Sequence, residues 1–246
     1  MGKKEIAIKN DNTTITTEKP AYLKDQTSNR GSEEVGHDDL VIPRIEVVQS
    51  LSTVRKKTSS NYIEGIEEGM LYNSVTKETY GSQVTIVPVL FTKEWLVWRD
   101  RKLGGGFAGA YSTEIDAVTA INLLDNPSEW EAVLTHQHFC LVITDTGKLE
   151  EAVISMSKSK LKVSKKLNSL VRLNGGDRFS RAYIVSGVTD ENSQGQEFYN
   201  LNVTNVGFVS EDVFRYAEQT YELIRSGAAS ADRSFDTDDD REDAPF

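Results

Sequence analysis

Gln83-Val84-Thr85-Ile86-Val87-Pro88-Val89-Leu90-Phe91, running on through Trp95-Leu96-Val97-Trp98, is a long β-prone stretch. β-branched and aromatic side chains of this density fit a pleated, packed surface. Pro88 has no amide to give to a ladder, so it requires an edge position or a bulge. Two hairpins follow. His138-Phe139-Cys140-Leu141-Val142-Ile143 stops at the turn signal Asp145-Thr146-Gly147, and Leu149 to Met156 returns from it. Arg181 to Val188 and Gln196 to Val206 flank Asp190-Glu191-Asn192-Ser193-Gln194-Gly195 in the same way. Leu40 to Val48 is apolar-rich, but Pro43 confines it to an edge or irregular strand.

Two helices complete the pattern. Ser157 to Leu173 places Met156, Val163, Leu167, Leu170 and Val171 on one side of a helical wheel, and Asn174-Gly175-Gly176 ends it. Its first residues also alternate like a strand. Ser210 is the expected N-cap of a helix to Arg225, with Val213, Tyr216, Ala217, Thr220 and Ile224 as its buried stripe. The fold class is mainly β with added helices, best fitted by an OB-fold-like antiparallel barrel. A sandwich or another small α+β sheet also satisfies the pattern.

The chain has 246 residues, 38 acidic and 28 basic, 38% hydrophobic, with one cysteine. That length suits one mid-sized domain with tails, or two small ones, and is enough to bury a core. No run of 18 apolar residues occurs, Met1-Gly2-Lys3-Lys4-Glu5 begins no apolar leader, and Cys140 is alone, so the expectation is a cytoplasmic protein without membrane contact. Residues 1–38 are polar and are expected to form a flexible arm, 39–227 the folded domain, and 228–246 a disordered acidic tail.

Charge is strongly polarised along the chain. The last fifteen residues hold seven acids and two bases. Between Lys158 and Arg181 lie Lys158, Lys160, Lys162, Lys165, Lys166, Arg172, Arg178 and Arg181 against one acid, Asp177. Such a stretch with neighbouring rings is what a single nucleic-acid strand needs: cations for phosphates and faces for stacked bases. Trp95, Trp98, Arg99, Arg101, Lys102, Phe107 and Tyr111 interleave the two chemistries around Gly104-Gly105-Gly106, and Tyr183 closes the basic stretch. Trp95 and Trp98 are three apart and must face opposite sides of a strand, so one belongs to the core.

Catalytic signatures are lacking. The glycine-rich loop carries no Gly-Lys-Ser/Thr, and no nucleophile–base–orienter set is present. His136, His138 and Cys140 would share one strand face, yet no second His/Cys pair exists to close a metal site. The expectation is a non-enzymatic protein without metal or cofactor.

Asp238, Asp239, Asp240, Glu242 and Asp243 lead into Ala244-Pro245-Phe246. A terminal phenyl ring beside its own carboxylate is a compact epitope for an apolar pocket with a basic rim. This tip resembles the acidic tails of the single-stranded DNA-binding proteins of bacteria and their phages, matching at Asp243, Pro245 and Phe246, with Glu242 keeping the charge and Ala244 departing from a larger aliphatic residue. The length and charge layout look more like the phage-encoded OB-fold members. The resemblance implies binding to single-stranded DNA in replication and recombination, and a tail that recruits a polymerase, primase-helicase or recombinase. A phage structural or assembly protein with an acidic interaction tail is the alternative. Oligomeric state is not legible.

Overall fold

The computed structural model describes residues 9–10, 13–14, 30 and 42–226. The chain divides into two units, Met1–Gly36 and His37–Phe246. In the first, β1 (Lys9–Asn10) and β2 (Thr13–Thr14) pair antiparallel. The expected arm at 1–38 and tail at 228–246 otherwise lie outside the described residues.

The second unit is mainly β with three helices, the class its patterning called for. Its strands are β3 (Ile45–Val47), β4 (Leu71–Asn73), β5 (Thr79–Gly81), β6 (Gln83–Arg99), β7 (Phe107–Tyr111), β8 (Trp130–Ile143), β9 (Leu149–Ser157), β10 (Arg181–Glu191) and β11 (Glu197–Phe208). Its helices are α1 (Glu114–Ile121), α2 (Leu161–Asn174) and α3 (Glu211–Arg225). The main antiparallel sheet has the order β11-β10-β6-β8-β9, and β7 pairs with the far half of β6. A three-stranded sheet, β3-β4-β5, packs beside it.

β6 is central, between β10 and β8, so Pro88 sits inside the sheet rather than at an edge. The register slips between Pro88 and Leu90 against β8, the bulge that spares a missing amide. Both sheet faces are covered, which explains why β6 and β10 show no clean polar face. On one side Val84, Ile86, Cys140, Val142, Ile154, Met156, Tyr183, Val185, Leu201 and Val203 meet Val163 and Leu167 of α2 and Ile45, Val47 and Leu71 of the small sheet. On the other, Val87, Val89, Leu141 and Ala182 meet Phe179 and Ala217, with Val213, Phe214, Tyr221 and Ile224 of α3 packed against them.

The end strands β9 and β11 do not pair with each other. The segment running into and out of β3 spans them instead. Val153 donates its amide to the Pro43 carbonyl at 2.8 Å. Gln49 brackets Tyr199, accepting from its amide at 2.9 Å and donating to its carbonyl at 2.7 Å. An amide side chain thus satisfies an edge strand much as another strand would, and protects it from foreign pairing. Close packing here needs glycine: a Cβ on Gly187 would collide with the Gly69 carbonyl, and one on Gly69 would lie 2.6 Å from the Tyr199 ring.

The helices differ from expectation in detail. β9 continues to Ser157 and a 3-10 turn, Lys158–Lys160, precedes α2, so the early alternation was strand. Ser210 caps α3, accepting from the Val213 amide. Tyr216 is exposed rather than buried, because Phe179 lies 4.9 Å from Phe214 and 6.0 Å from Tyr221 and draws the helix round to those rings.

Candidate nucleic-acid interface

Pairing between β6 and β8 sets Phe91 against His138, Lys93 against His136, Trp95 against Leu134, Val97 against Ala132, and Arg99 against Trp130. Alternation places all ten on one sheet face. α2 covers the lower rungs, where Ser164 touches both histidines. α1 covers the upper ones, where Ala117 and Ile121 pack with Val97, Trp95, Tyr111, Trp130 and Ala132. Thr113 caps α1, accepting from the Asp116 amide at 3.2 Å. Between the two covered regions lie exposed Lys93 and half-buried Trp95 and Leu134.

Beneath α2 runs a polar chain. An Nη of Arg178 lies 2.8 Å from His138 Nδ1, His138 Nε2 lies 2.7 Å from Ser164 Oγ, and Ser164 Oγ lies 2.6 Å from His136 Nδ1. A guanidinium can only donate, which fixes every proton: Arg178 donates to His138, His138 to Ser164, and Ser164 to His136. Both histidines are therefore neutral. Burial, then Arg178 and His136, hold His138 well below the usual imidazole range. Burial, then Lys93 and Lys165, lower His136. Phe91 sits among them, 5.1 Å from His136, 5.0 Å from His138 and 5.5 Å from the Arg178 guanidinium. Burial lowers Arg178 to about 10.

The cations expected to form one patch are dispersed. Lys158 pairs with Glu131 at 3.4 Å, and Lys162 with Asp190 at 2.5 Å, which holds the Asp190 carboxyl below its usual range. Lys160 is buried. Lys166 donates to Asn202 at 2.7 Å, and Arg181 lies over the Phe208 ring at 3.7 Å. Lys165 and Arg172 are exposed on α2, and Arg178 is half-buried beneath it. Acidic side chains from β8 and β10 thus neutralise part of the field that the sequence concentrates there.

The aromatic set also divides. Trp98 is buried with Phe107 4.9 Å away, while Trp95, on the opposite face, is half-buried, so the split between the two indoles holds. Tyr111 is half-buried against the α1 cluster. Tyr183 is 1% exposed within the main core and accepts from Asn174, so it has no free face for a base. Arg99 is engaged by Glu129, through Nε at 2.9 Å and an Nη at 2.6 Å. Lys102 is exposed at the tip of the β6–β7 hairpin, where Gly104, Gly105 and Gly106 adopt positive φ; the Arg101 side chain lies outside the described residues. Asp238, Asp239, Asp240, Glu242, Asp243, Pro245 and Phe246 lie there too.

Phe91, Lys93 and His136 are additions. Phe91 reads as ordinary strand core and the histidines as a bland strand; their signal is polar residues alternating inside an apolar run at 136 and 138. Cys140, on the same face, is buried, and burial pushes its thiol up to about 12. Among the described residues no group of three or more His, Cys, Asp or Glu side chains is arranged to hold a metal ion. No helix among them is long and apolar enough to cross a membrane.

A family model described as Pam3 phage gp34-like protein matches residues 10–230. The chain belongs to that phage protein family. The match takes in every strand and helix of the second unit. No curated protein and no solved structure matches the chain.

Proposed function

We propose that this phage protein binds and protects single-stranded DNA during replication and recombination, and recruits replication proteins through its acidic C-terminal residues. One observation carries the reading. Lys93 and Lys165 have no carboxylate partner among the described residues, and they flank the same stretch of β6 and β8 that presents Trp95 beside Tyr111. Phosphates would be met by the two lysines and bases by the rings, the combination that holds a single strand without reading its sequence. A duplex hides its base faces, so it would gain only the ionic part.

The acidic residues 232–246 are a polyanion that competes for the same cations and, by the resemblance of their tip, the part that partners grasp. A mobility-shift comparison of oligo-dT and a matching duplex, with the full chain and with a chain ending at residue 231, tests the reading. Retardation of oligo-dT in preference to duplex, tightened by the deletion, is expected. No retardation at low salt refutes it and favours the structural or assembly alternative.

A further inference from the structure

α1 leaves large apolar side chains in water. Ala117 and Ile121 hold it to β6, β7 and β8. On the side turned away, Ile115 is 78% exposed, and Leu123, just past the helix, is 85% exposed, with Val118 between them also exposed. Exposed apolar side chains gathered in a polar setting mark a contact surface. The setting here has one sign. Between Lys102 and Lys148 stand Glu114, Asp116, Asp125, Glu129, Glu131 and Asp145, and no Lys or Arg. Arg99 takes up Glu129 and Lys158 takes up Glu131. Glu114, Asp116 and Asp125 are exposed and have no cationic partner among the described residues. α2 is the converse. Its 14 residues include no acid, and Val163, Ser164 and Leu167 are its buried side. Lys165, Lys166 and Arg172 are exposed on its outer side, and Leu173 beside them is 84% exposed.

We propose that α1 of one copy of this chain docks on α2 of a second copy, acidic and apolar crest against basic crest. Carboxylates of Glu114, Asp116 and Asp125 meet the cations of Lys165 and Arg172, while Ile115 and Val118 cover Leu173 and the aliphatic stems of the lysines. A second copy is the occupant because each crest finds on the other the opposite charge and an exposed apolar side chain to bury. α1 and α2 cover different lengths of the same face of β6 and β8. A two-fold axis lying across the strands between them therefore makes both contacts at once, the reciprocal arrangement that closes a pair. Both crests are short, so the association is weak and depends on salt. It needs no nucleic acid and goes beyond the strand-binding reading, meeting it only at Lys165, which a strand and a second copy both claim.

The test is sedimentation velocity of the full chain, without nucleic acid, over a range of concentration at low and high salt. Association that salt weakens is expected. Glu114→Lys/Asp125→Lys and Lys165→Glu/Arg172→Glu should each weaken it by about tenfold or more, and Ile115→Gln by about threefold or more. Mixing the two charge-reversed proteins should restore association, as should joining all four changes in one chain, which also shows that neither reversal has cost the fold. Lys57→Glu and Glu64→Lys, exposed reversals on other segments, should leave it unchanged. A chain that stays monomeric at low salt, or reversals that mixing does not rescue, overturn the docking. So does association that survives the α1 reversal and is lost in a chain ending at residue 231, which would make residues 232–246 the occupant of α2. Oligo-dT is then added in a mobility shift. Retardation of oligo-dT by a chain that does not associate overturns the docking alone, whereas association without retardation keeps the docking and removes the strand reading.

Discussion

Replacing Ser164 by alanine isolates the polar chain that orders the candidate interface. Ser164 is fully buried, and its hydroxyl serves two ring nitrogens at 2.6 and 2.7 Å. Ser164→Ala leaves the His138 Nε2–H without an acceptor and the His136 Nδ1 without a donor, both out of water. A buried polar group left unmatched costs about 1–3 kcal/mol, so the pair should cost about 2–4 kcal/mol once relaxation is allowed for. Alanine is a better helix former than serine and returns a few tenths of that. With a urea m-value of about 2 kcal/mol/M, the midpoint should fall by about 1–2 M at unchanged m. Ser169→Ala in the same helix is the control: Ser169 is exposed and donates only to the Lys165 carbonyl, so its midpoint should scarcely move. A loss at Ser164 below about 0.5 kcal/mol, or one equal to that at Ser169, would refute the buried chain as described.

The two histidines make stability depend on pH. Their native pKa values are lowered, so their contribution is complete above about 6.5 and is lost as pH falls from there towards the native values, because the unfolded chain takes up protons first. Urea midpoints should drop between pH 7.5 and 5.5, with His138 contributing up to about 1.4 kcal/mol per pH unit; a flat or rising profile contradicts the assignment. Gly187→Ala should destabilise by about 1–3 kcal/mol through its collision with the Gly69 carbonyl, whereas Gly207→Ala, which meets nothing, should cost far less in a thermal melt; equal costs would place the close approach elsewhere. Gln49→Ala removes both bonds to Tyr199, and faster hydrogen exchange at the Tyr199 amide, with about 1–2 kcal/mol of lost stability, is the expected result; unchanged exchange would mean that β11 is not protected this way.

The hairpin pairings are written in the sequence, because turn signals and apolar runs are local, whereas the order that sets β6 between β10 and β8 is not. The hairpins β8–β9 and β10–β11, the bulge at Pro88 and the Ser210 cap follow from neighbours in the chain. What stayed hidden depends on distant partners. α1 is an eight-residue helix with only Ala117 and Ile121 buried, too short for a periodic signal. The orientation of α3 is set by Phe179, and Tyr183 is core because α2 covers its face of the sheet. The basic stretch misleads for the same reason: Glu131 and Asp190 reach its lysines from other strands, while Lys93, remote in sequence, joins its free end.

We propose that Lys93 of β6 and Lys165 of α2, without acidic partners among the described residues, hold a nucleic-acid strand against the β6–β8 face. The most direct measurement is quenching of tryptophan fluorescence by poly-dT across a range of salt, for the full chain and for Lys93→Gln/Lys165→Gln. Quenching by the parent protein, with a log–log salt slope that falls by about two phosphate contacts in the double variant, is the predicted result. Absence of quenching, or a slope identical in the two proteins, would contradict it.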